Sequence, residues 1–261
     1  MNFFLETLRM LFLSLYYTLE ALVRLVVPVR RKNVSGEIVL VSGAGSGIGR
    51  LIALEFARLH ATLVLWDVNE EGNNETARLA RERGASRVHT YLCDCSKKTS
   101  VYEIADQTYK AFLPAMIASN HGHLVSIASS AGLFPVNGLA DYCSSKFAAI
   151  GFAQSVALEL LVSGKNGVKT TIVCPYYINT GMFDGCKTKW PHLLPILDPN
   201  YAAKKITDAI LREQVILVMP RALYFMFAIK NMLPVKIGVL IGGYFGVFQT
   251  MDNFKGRVKK D

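Results

Sequence analysis

The run Ile38-Val39-Leu40-Val41-Ser42-Gly43-Ala44-Gly45-Ser46-Gly47-Ile48-Gly49-Arg50 leaves the chain around it few options. A short apolar stretch ending in glycines reads as a buried parallel strand entering a tight turn. Without side chains at Gly43, Gly45, Gly47 and Gly49, the turn's backbone can approach a ligand closely. The next apolar residues (Ile48, Leu51, Ile52, Phe56, Leu59) recur at helical spacing, so the turn opens onto a helix N-terminus. Free N–H groups and the positive end of the helix dipole make that place a seat for a pyrophosphate. A glycine turn alone is weak evidence. Here Ala61-Thr62-Leu63-Val64-Leu65-Trp66-Asp67 supplies a second strand, ending in a carboxylate 24 residues after Gly43. That spacing closes a βαβ unit and puts Asp67 within reach of an adenosine ribose, so the turn predicts dinucleotide binding.

The length of 261 residues suits one α/β domain with appendages, but 51% hydrophobic residues is high for a soluble enzyme. Much of the excess sits at the two ends, which points to a membrane surface. The net charge of +9 includes Arg30-Arg31-Lys32 and a tail with Lys255, Arg257, Lys259 and Lys260. No basic stripe interleaved with aromatics accompanies it, so anionic lipid is the natural partner and nucleic acid is not expected. The five cysteines form no CxxC pair and no disulfide framework, in keeping with a reducing compartment. Cys93-x-Cys95 and His121-x-His123 have no matching second pair, so no metal site is expected.

Residues 1–32 read as a membrane anchor. Glu6, Arg9, Glu20 and Arg24 interrupt the apolar run, and Met10 to Leu19 is too short for a perpendicular span. A helical hairpin or an interfacial helix fits better, with the basic run holding the next domain on the cytosolic side. An acidic first charge argues against a cleaved signal peptide. The domain itself is placed at 36–219. After Asp67 come a helix from Glu70 to Arg83, a strand from Arg87 to Cys93 that ends at Asp94, and a helix from Ser100 to Ser119. A strand from Leu124 to Ala128 then delivers Ser129 and Ser130, and a long helix opens at Tyr142. Another strand, Val168 to Cys174, ends at Pro175, and residues 183–199 read as a mobile lid. Residues 220–261 form an apolar C-terminal element with a basic tail: a second membrane contact, or the wall of an apolar pocket.

The chemistry sits on Tyr142-Cys143-Ser144-Ser145-Lys146. Residues four apart on a helix share a face, so the phenol of Tyr142 and the ammonium of Lys146 are neighbours. An adjacent ammonium favours phenolate, so the tyrosine is expected below its usual value of about 10 and usable as a general base. Ser129, at a strand's carboxyl end where ligands bind in such sheets, completes the set.

Together Ser42-Gly43-Ala44-Gly45-Ser46-Gly47-Ile48-Gly49, Asp94, Ser129, Tyr142-x-x-x-Lys146 and Pro175 with Thr180 resemble the short-chain dehydrogenase/reductase family over roughly Gly36 to Met219. The apolar N-terminus, Leu-Val-Leu-Trp-Asp and Asn-Thr-Gly-Met resemble its membrane and lipid-droplet branch, which acts on retinoids and 17β-hydroxysteroids. The resemblance implies hydride transfer between NAD and a lipophilic alcohol or its carbonyl compound, and a fold with a doubly wound Rossmann-like parallel sheet. Tyr142 would take the hydroxyl proton, Lys146 would tune the tyrosine and hold the nicotinamide ribose, and Ser129 would bind the substrate oxygen. Ser42, Gly43, Gly45, Ser46, Gly47, Ile48 and Gly49 would cradle the cofactor with Asp67, Asp94, Pro175 and Thr180. Asp67 disfavours NADP, because a carboxylate repels a 2′-phosphate and Ser46 brings no positive charge. The same resemblance implies an endoplasmic-reticulum or lipid-droplet surface facing the cytosol, and leaves homodimerisation open.

Two departures stand out. Tyr176 occupies the family's glycine after Pro175. Between Asp94 and Ser129 the family has a helix, a strand ending in Asn-Asn-Ala-Gly and a long helix with a fourth catalytic residue, an asparagine. Here one helix joins the start of the first to the end of the last near Tyr109 and Lys110. A central strand–helix unit of about 40 residues is missing, close to one βαβ increment. Either the sheet closes up, moving Ser129 by roughly 4.8 Å, or a central strand edge stays unpaired. Both outcomes imply weakened or lost activity.

Overall fold

The computed structural model describes residues 3–27, 29–93, 112–230 and 232–255. Two compact units result, Met1–Lys32 and Asn33–Asp261. The first contains one continuous helix, α1 (Phe3–Val26), rather than a hairpin. Its apolar side chains are exposed on every side, from Phe3 and Phe12 to Tyr17 and Leu22. Twenty-four residues span about 36 Å along a helix axis.

The second unit is α/β. In chain order it runs β1 (Ile38–Ser42), α2 (Gly47–Ala57), β2 (Thr62–Asp67), α3 (Glu70–Glu82) and β3 (Arg87–Leu92). Residues 112–119 are helical (α4). Next come β4 (Gly122–Ile127), α5 (Ala140–Val162), β5 (Val168–Pro175), α6 (Pro199–Leu211), β6 (Ile216–Met219), α7 (Ala222–Lys230) and α8 (Val235–Tyr244). Asp94 and the first part of the expected 100–119 helix lie outside the described residues. Caps set the helix starts: Asn69 accepts from Gly72 N and Asp198 from Tyr201 N, each satisfying an orphan first-turn donor.

All strand pairs are parallel, but they form two three-stranded sheets, β1-β2-β3 and β4-β5-β6. No ladder joins β1 to β4. Of the two outcomes open to the shortened crossover, the sheet has not closed up. The ladder's alternation makes the consequence specific. Gly43 N donates to Trp66 O and Ala128 N to Val173 O, so Ile38 and Leu40 of β1, and Val125 and Ile127 of β4, turn their backbone groups away from their paired neighbours. The two sheets are held together by helices instead. α2 packs on α6, and one apolar core runs from Ile52 and Phe56 through Leu63 and Leu65 to Val173, Ile206 and Leu217.

On the other face α5 lies across β4 and β5 through Ile150 and Ala153. Residues 112–119 meet it near its C-terminal end, where Leu113, Met116 and Ile117 pack on Val156 and Leu160. Phe147, Phe152, Leu158, Leu161 and Val162 of α5 stay exposed. Among the described residues, α5 is the one helix long and apolar enough to cross a membrane by length and composition. Its packing on β4 and β5 accounts for Ile150 and Ala153 but not for the apolar residues on its exposed side.

Candidate active site

The glycine turn is held by backbone and side chains together. Gly43 N and Ala44 N both donate to Trp66 O, at 2.8 and 3.1 Å, tying the turn to the end of β2. Gly43 has φ +72°, a conformation that favours glycine. A Cβ at Gly49 would lie 2.0 Å from the Gly43 carbonyl oxygen, so only glycine lets α2 start so close to the strand. Ser46 caps α2 in extended conformation and makes no side-chain cap bond. The first-turn N–H groups of α2 therefore face the cavity with no side-chain acceptor, which fits a pyrophosphate.

Asp67 stands at the end of β2. Its Oδ2 accepts from Gly45 N at 2.7 Å and its Oδ1 from Asn69 N at 2.9 Å. Each oxygen keeps a second lone pair for a ribose hydroxyl. Beneath the turn lies a clamp that sequence reasoning missed. Thr76, fully buried on α3, donates to Ala44 O (2.8 Å) and accepts from Arg50 Nε (2.9 Å). The Arg50 guanidinium also donates to the carbonyls of Gly45 and Gly72. The Nε and Nη2 donors of this guanidinium are thus engaged by protein oxygens.

At the other end of the cavity, Ser129 succeeds β4 and opens a short 3₁₀ turn, Ser130–Gly132, by accepting from Ala131 N. A Cβ on Gly132 would lie 2.6 Å from Lys146 O, so the Ser129 turn and α5 can meet this closely only with glycine there. That approach brings Ser129 beside Tyr142, near enough for its hydroxyl to favour the phenolate; the Ser129 hydroxyl itself donates to Pro175 O at 3.5 Å. Lys146 Nζ is 5.5 Å from the Tyr142 ring centroid and donates to Ile127 O at 3.3 Å. Ile127 O is one of the β4 groups that face away from β5, so this ammonium caps an open strand edge.

The electrostatics correct one expectation. Burial pushes the Tyr142 phenol above its ordinary value near 10, and the neighbouring Ser129 hydroxyl only partly opposes it. Burial likewise lowers the Lys146 ammonium. The reason is desolvation: a half-buried site penalises both charged forms, and Lys146 is engaged by the β4 carbonyl. Beneath Lys146, the buried Cys174 thiol is pushed up to about 12.

Gly43, Ser46, Gly47, Ile48, Gly49, Ser129, Tyr142, Lys146, Pro175 and Thr180 line one cavity of about 310 Å³. Ser42, Gly45 and Asp67 are not among its lining residues, Gly45 being tied to Asp67 through its N–H, and Thr180 sits over Gly47. The wall also contains Leu139, Tyr176, Tyr177, Met182 and Phe183, most of which sequence reasoning did not place. The adjacency of Tyr176 and Tyr177 to Pro175 at a strand's carboxyl end was the available signal. His121 instead faces Glu37 (3.3 Å) and His123 bonds Thr171 (2.8 Å). No group of three or more metal-binding side chains occurs among the described residues.

The short chain dehydrogenase family model matches residues 107–189, and the enoyl-(acyl carrier protein) reductase model matches 43–114. Epidermal retinol dehydrogenase 2 of Homo sapiens is 51% identical over 308 positions, covering 100% of both chains. The chain belongs to the short-chain dehydrogenase/reductase family. Epidermal retinol dehydrogenase 2 of Mus musculus is 54% identical, covering 95% of this chain and 94% of its own. Short-chain dehydrogenase/reductase family 16C member 6 of Bos taurus is 44% identical, covering 99% and 96%. In structure, a family member from Burkholderia phymatum, solved in complex with NAD, superposes with a TM-score of 0.63 at 21% identity, covering 77% of this chain and 94% of its own. That likeness establishes the fold. The human alignment runs over 308 positions against 261 residues here, so about 47 positions of the relative have no counterpart. The two family models meet at 107–114, in the region where the family's central unit is missing.

Proposed function

We propose that this chain is an NAD-linked oxidoreductase of lipophilic alcohols and their carbonyl compounds, of retinol or hydroxysteroid type, whose turnover is reduced by the missing central unit. The observation that carries the proposal is the meeting of the glycine turn with Ser129, Tyr142 and Lys146 around one cavity. Relatives named as retinol dehydrogenases support the substrate class.

The residues divide the work by chemistry. The turn and the α2 N-terminus would bind a pyrophosphate, and Asp67 would select the unphosphorylated ribose of NAD. A bound nicotinamide supplies the hydride acceptor and, when oxidised, a positive charge. Ser129 would orient the substrate oxygen and Tyr142 would accept its proton. Because burial raises the phenol, Tyr142 is protonated at neutral pH and suited to donating in the reductive direction; alcohol oxidation should accelerate with rising pH.

The reduced turnover is a consequence of the open edge. Lys146 is engaged by Ile127 O, and no ladder fixes the spacing between β1, which carries the glycine turn, and β4, which carries Ser129. A misplacement of even about 1 Å can cost 10²-fold in rate. The same open edge favours a second reading, a membrane-associated variant without activity.

For the setting, we assign a membrane or lipid-droplet surface, with the domain in the cytosol of the endoplasmic-reticulum membrane system. The exposed apolar length of α1 before Arg30-Arg31-Lys32 supports it, as do the exposed Phe225, Val235, Val239 and Leu240 of α7 and α8. The exposed apolar side of α5 would suit a second copy of the chain. The two functional readings separate on a thermal shift with NADH. A ligand present at about 100 times its Kd stabilises the folded state by ~2.7 kcal/mol. Stabilisation of that order supports an intact cofactor site; an unchanged melting temperature at millimolar NADH contradicts the oxidoreductase reading.

A further inference from the structure

We propose that Phe183 is a specificity-determining residue, held beside Tyr142 by the C-terminal segment 246–255, and that it favours alcohols with no branch at the carbinol carbon. The inference rests on the oxidoreductase reading and adds the shape of the substrate. Phe183 lines the cavity with Tyr142, and the two rings meet edge to face at 5.8 Å. The Phe183 ring is boxed on further sides by Tyr177 at 5.2 Å and Phe254 at 6.2 Å.

The box is anchored from the C-terminus. Tyr177 Oη bonds the buried Thr250 hydroxyl at 3.2 Å. Lys187 N donates to Thr250 O (3.3 Å) and Lys255 N to Asp184 O (2.9 Å), so backbone bonds flank Phe183's loop on both sides of Cys186. Cys186 Sγ lies 3.5 Å from Met251 Sδ. Phe183 is therefore a wall fixed from two sides rather than a free loop side chain.

A substrate hydroxyl must come within hydrogen-bond reach of Ser129 and Tyr142, about 2.6–3.2 Å. Its carbinol carbon then sits within one ring's reach of Phe183. A primary alcohol presents a single chain there. A secondary ring alcohol, such as a 17β-hydroxysteroid, presents two carbon branches, and one of them meets the Phe183 wall.

The test uses the full chain in detergent micelles with saturating NADH. Affinities are measured for all-trans-retinol by its fluorescence and for oestradiol by equilibrium dialysis, in wild type, Phe183→Ala, Phe183→Leu and Phe254→Ala. The wild type should prefer retinol, and Phe183→Ala should shrink the retinol-to-oestradiol ratio by about tenfold, the lower end of what one methylene discriminates in an apolar pocket. Phe254→Ala should move the ratio the same way by less. A ratio within twofold of wild type in both Phe183 variants, with unchanged melting temperatures, overturns the proposal. So does a wild type that binds NADH but neither alcohol. A wild type that binds neither NADH nor retinol removes the oxidoreductase reading, and this inference with it.

Discussion

Replacing Thr76 by Val tests whether the glycine turn is held from below. The side chains are nearly isosteric and Thr76 is fully buried, so packing is kept and only the hydroxyl is lost. That hydroxyl donates to Ala44 O at 2.8 Å and accepts from Arg50 Nε at 2.9 Å. Ala44 is itself fully buried, so its carbonyl loses an acceptor bond that water cannot easily replace. A buried group left unsatisfied costs about 1–3 kcal/mol. Arg50 is only part-buried and can recover solvent, so one such cost plus a fraction gives ~2–3 kcal/mol. For a domain of this size each kcal/mol lowers the melting temperature by about 2–4 °C. Differential scanning calorimetry should therefore show Thr76→Val melting roughly 4–12 °C below wild type. NADH affinity should fall with it, since Ala44 adjoins the pyrophosphate seat. Thr76→Ser keeps the hydroxyl and should lose only the worth of a methyl, ~0.8 kcal/mol. A Thr76→Val variant melting within a degree of wild type would refute the clamp.

The same geometry sets further outcomes. Tyr142→Phe should lower any measured turnover by about 10²–10⁴-fold, the range of a lost general acid–base, and leave NADH stabilisation intact; loss of both would make Tyr142 a structural residue. Oxidation of retinol should keep rising from pH 7 to 9, because burial holds the Tyr142 phenol above 10; a plateau below pH 7 contradicts that direction. Cys174, fully buried with its thiol pushed up to about 12, should resist iodoacetamide at pH 8 while the partly exposed Cys93 reacts. Its raised folded-state value favours the neutral thiol, so that stabilisation is complete below about pH 9 and fades as pH climbs toward 12. In hydrogen exchange, the Leu40 and Val125 amides, which face away from their ladder partners, should exchange far faster than Val64 in the central β2; equal protection would mean that the two sheets pair.

Much of the fold was legible because its signals are local. Buried parallel strands are apolar runs, and the turn from Gly43 to Gly49 commits the next residues to a helix N-terminus. Tyr142 and Lys146 sit four apart on one helix, and Ser129 adjoins a clear strand end, so the candidate site needed little long-range information. The missing unit was legible as an absence between Asp94 and Ser129, but its structural result was not. Whether β1 and β4 pair depends on how α2, α6 and the shared core hold two half-sheets, a matter of packing between residues more than 100 positions apart. The direction of the Tyr142 shift was missed for a similar reason. Spacing shows that an ammonium is near; burial, and the diversion of Lys146 to Ile127 O, appear only in three dimensions. Tyr177 and Phe183 come from the loop after β5 and Thr250 from the C-terminal segment, with no motif to mark them.

The central claim is that the family's site is assembled here around an incomplete sheet and works poorly for that reason. Its most direct test is steady-state oxidation of all-trans-retinol with NAD by this chain, alongside the human relative that carries the additional 47 or so positions. The account predicts kcat/KM at least about 10²-fold below the relative's, the scale set by a displacement of about 1 Å, while NADH still stabilises the chain. Turnover equal to the relative's would contradict it.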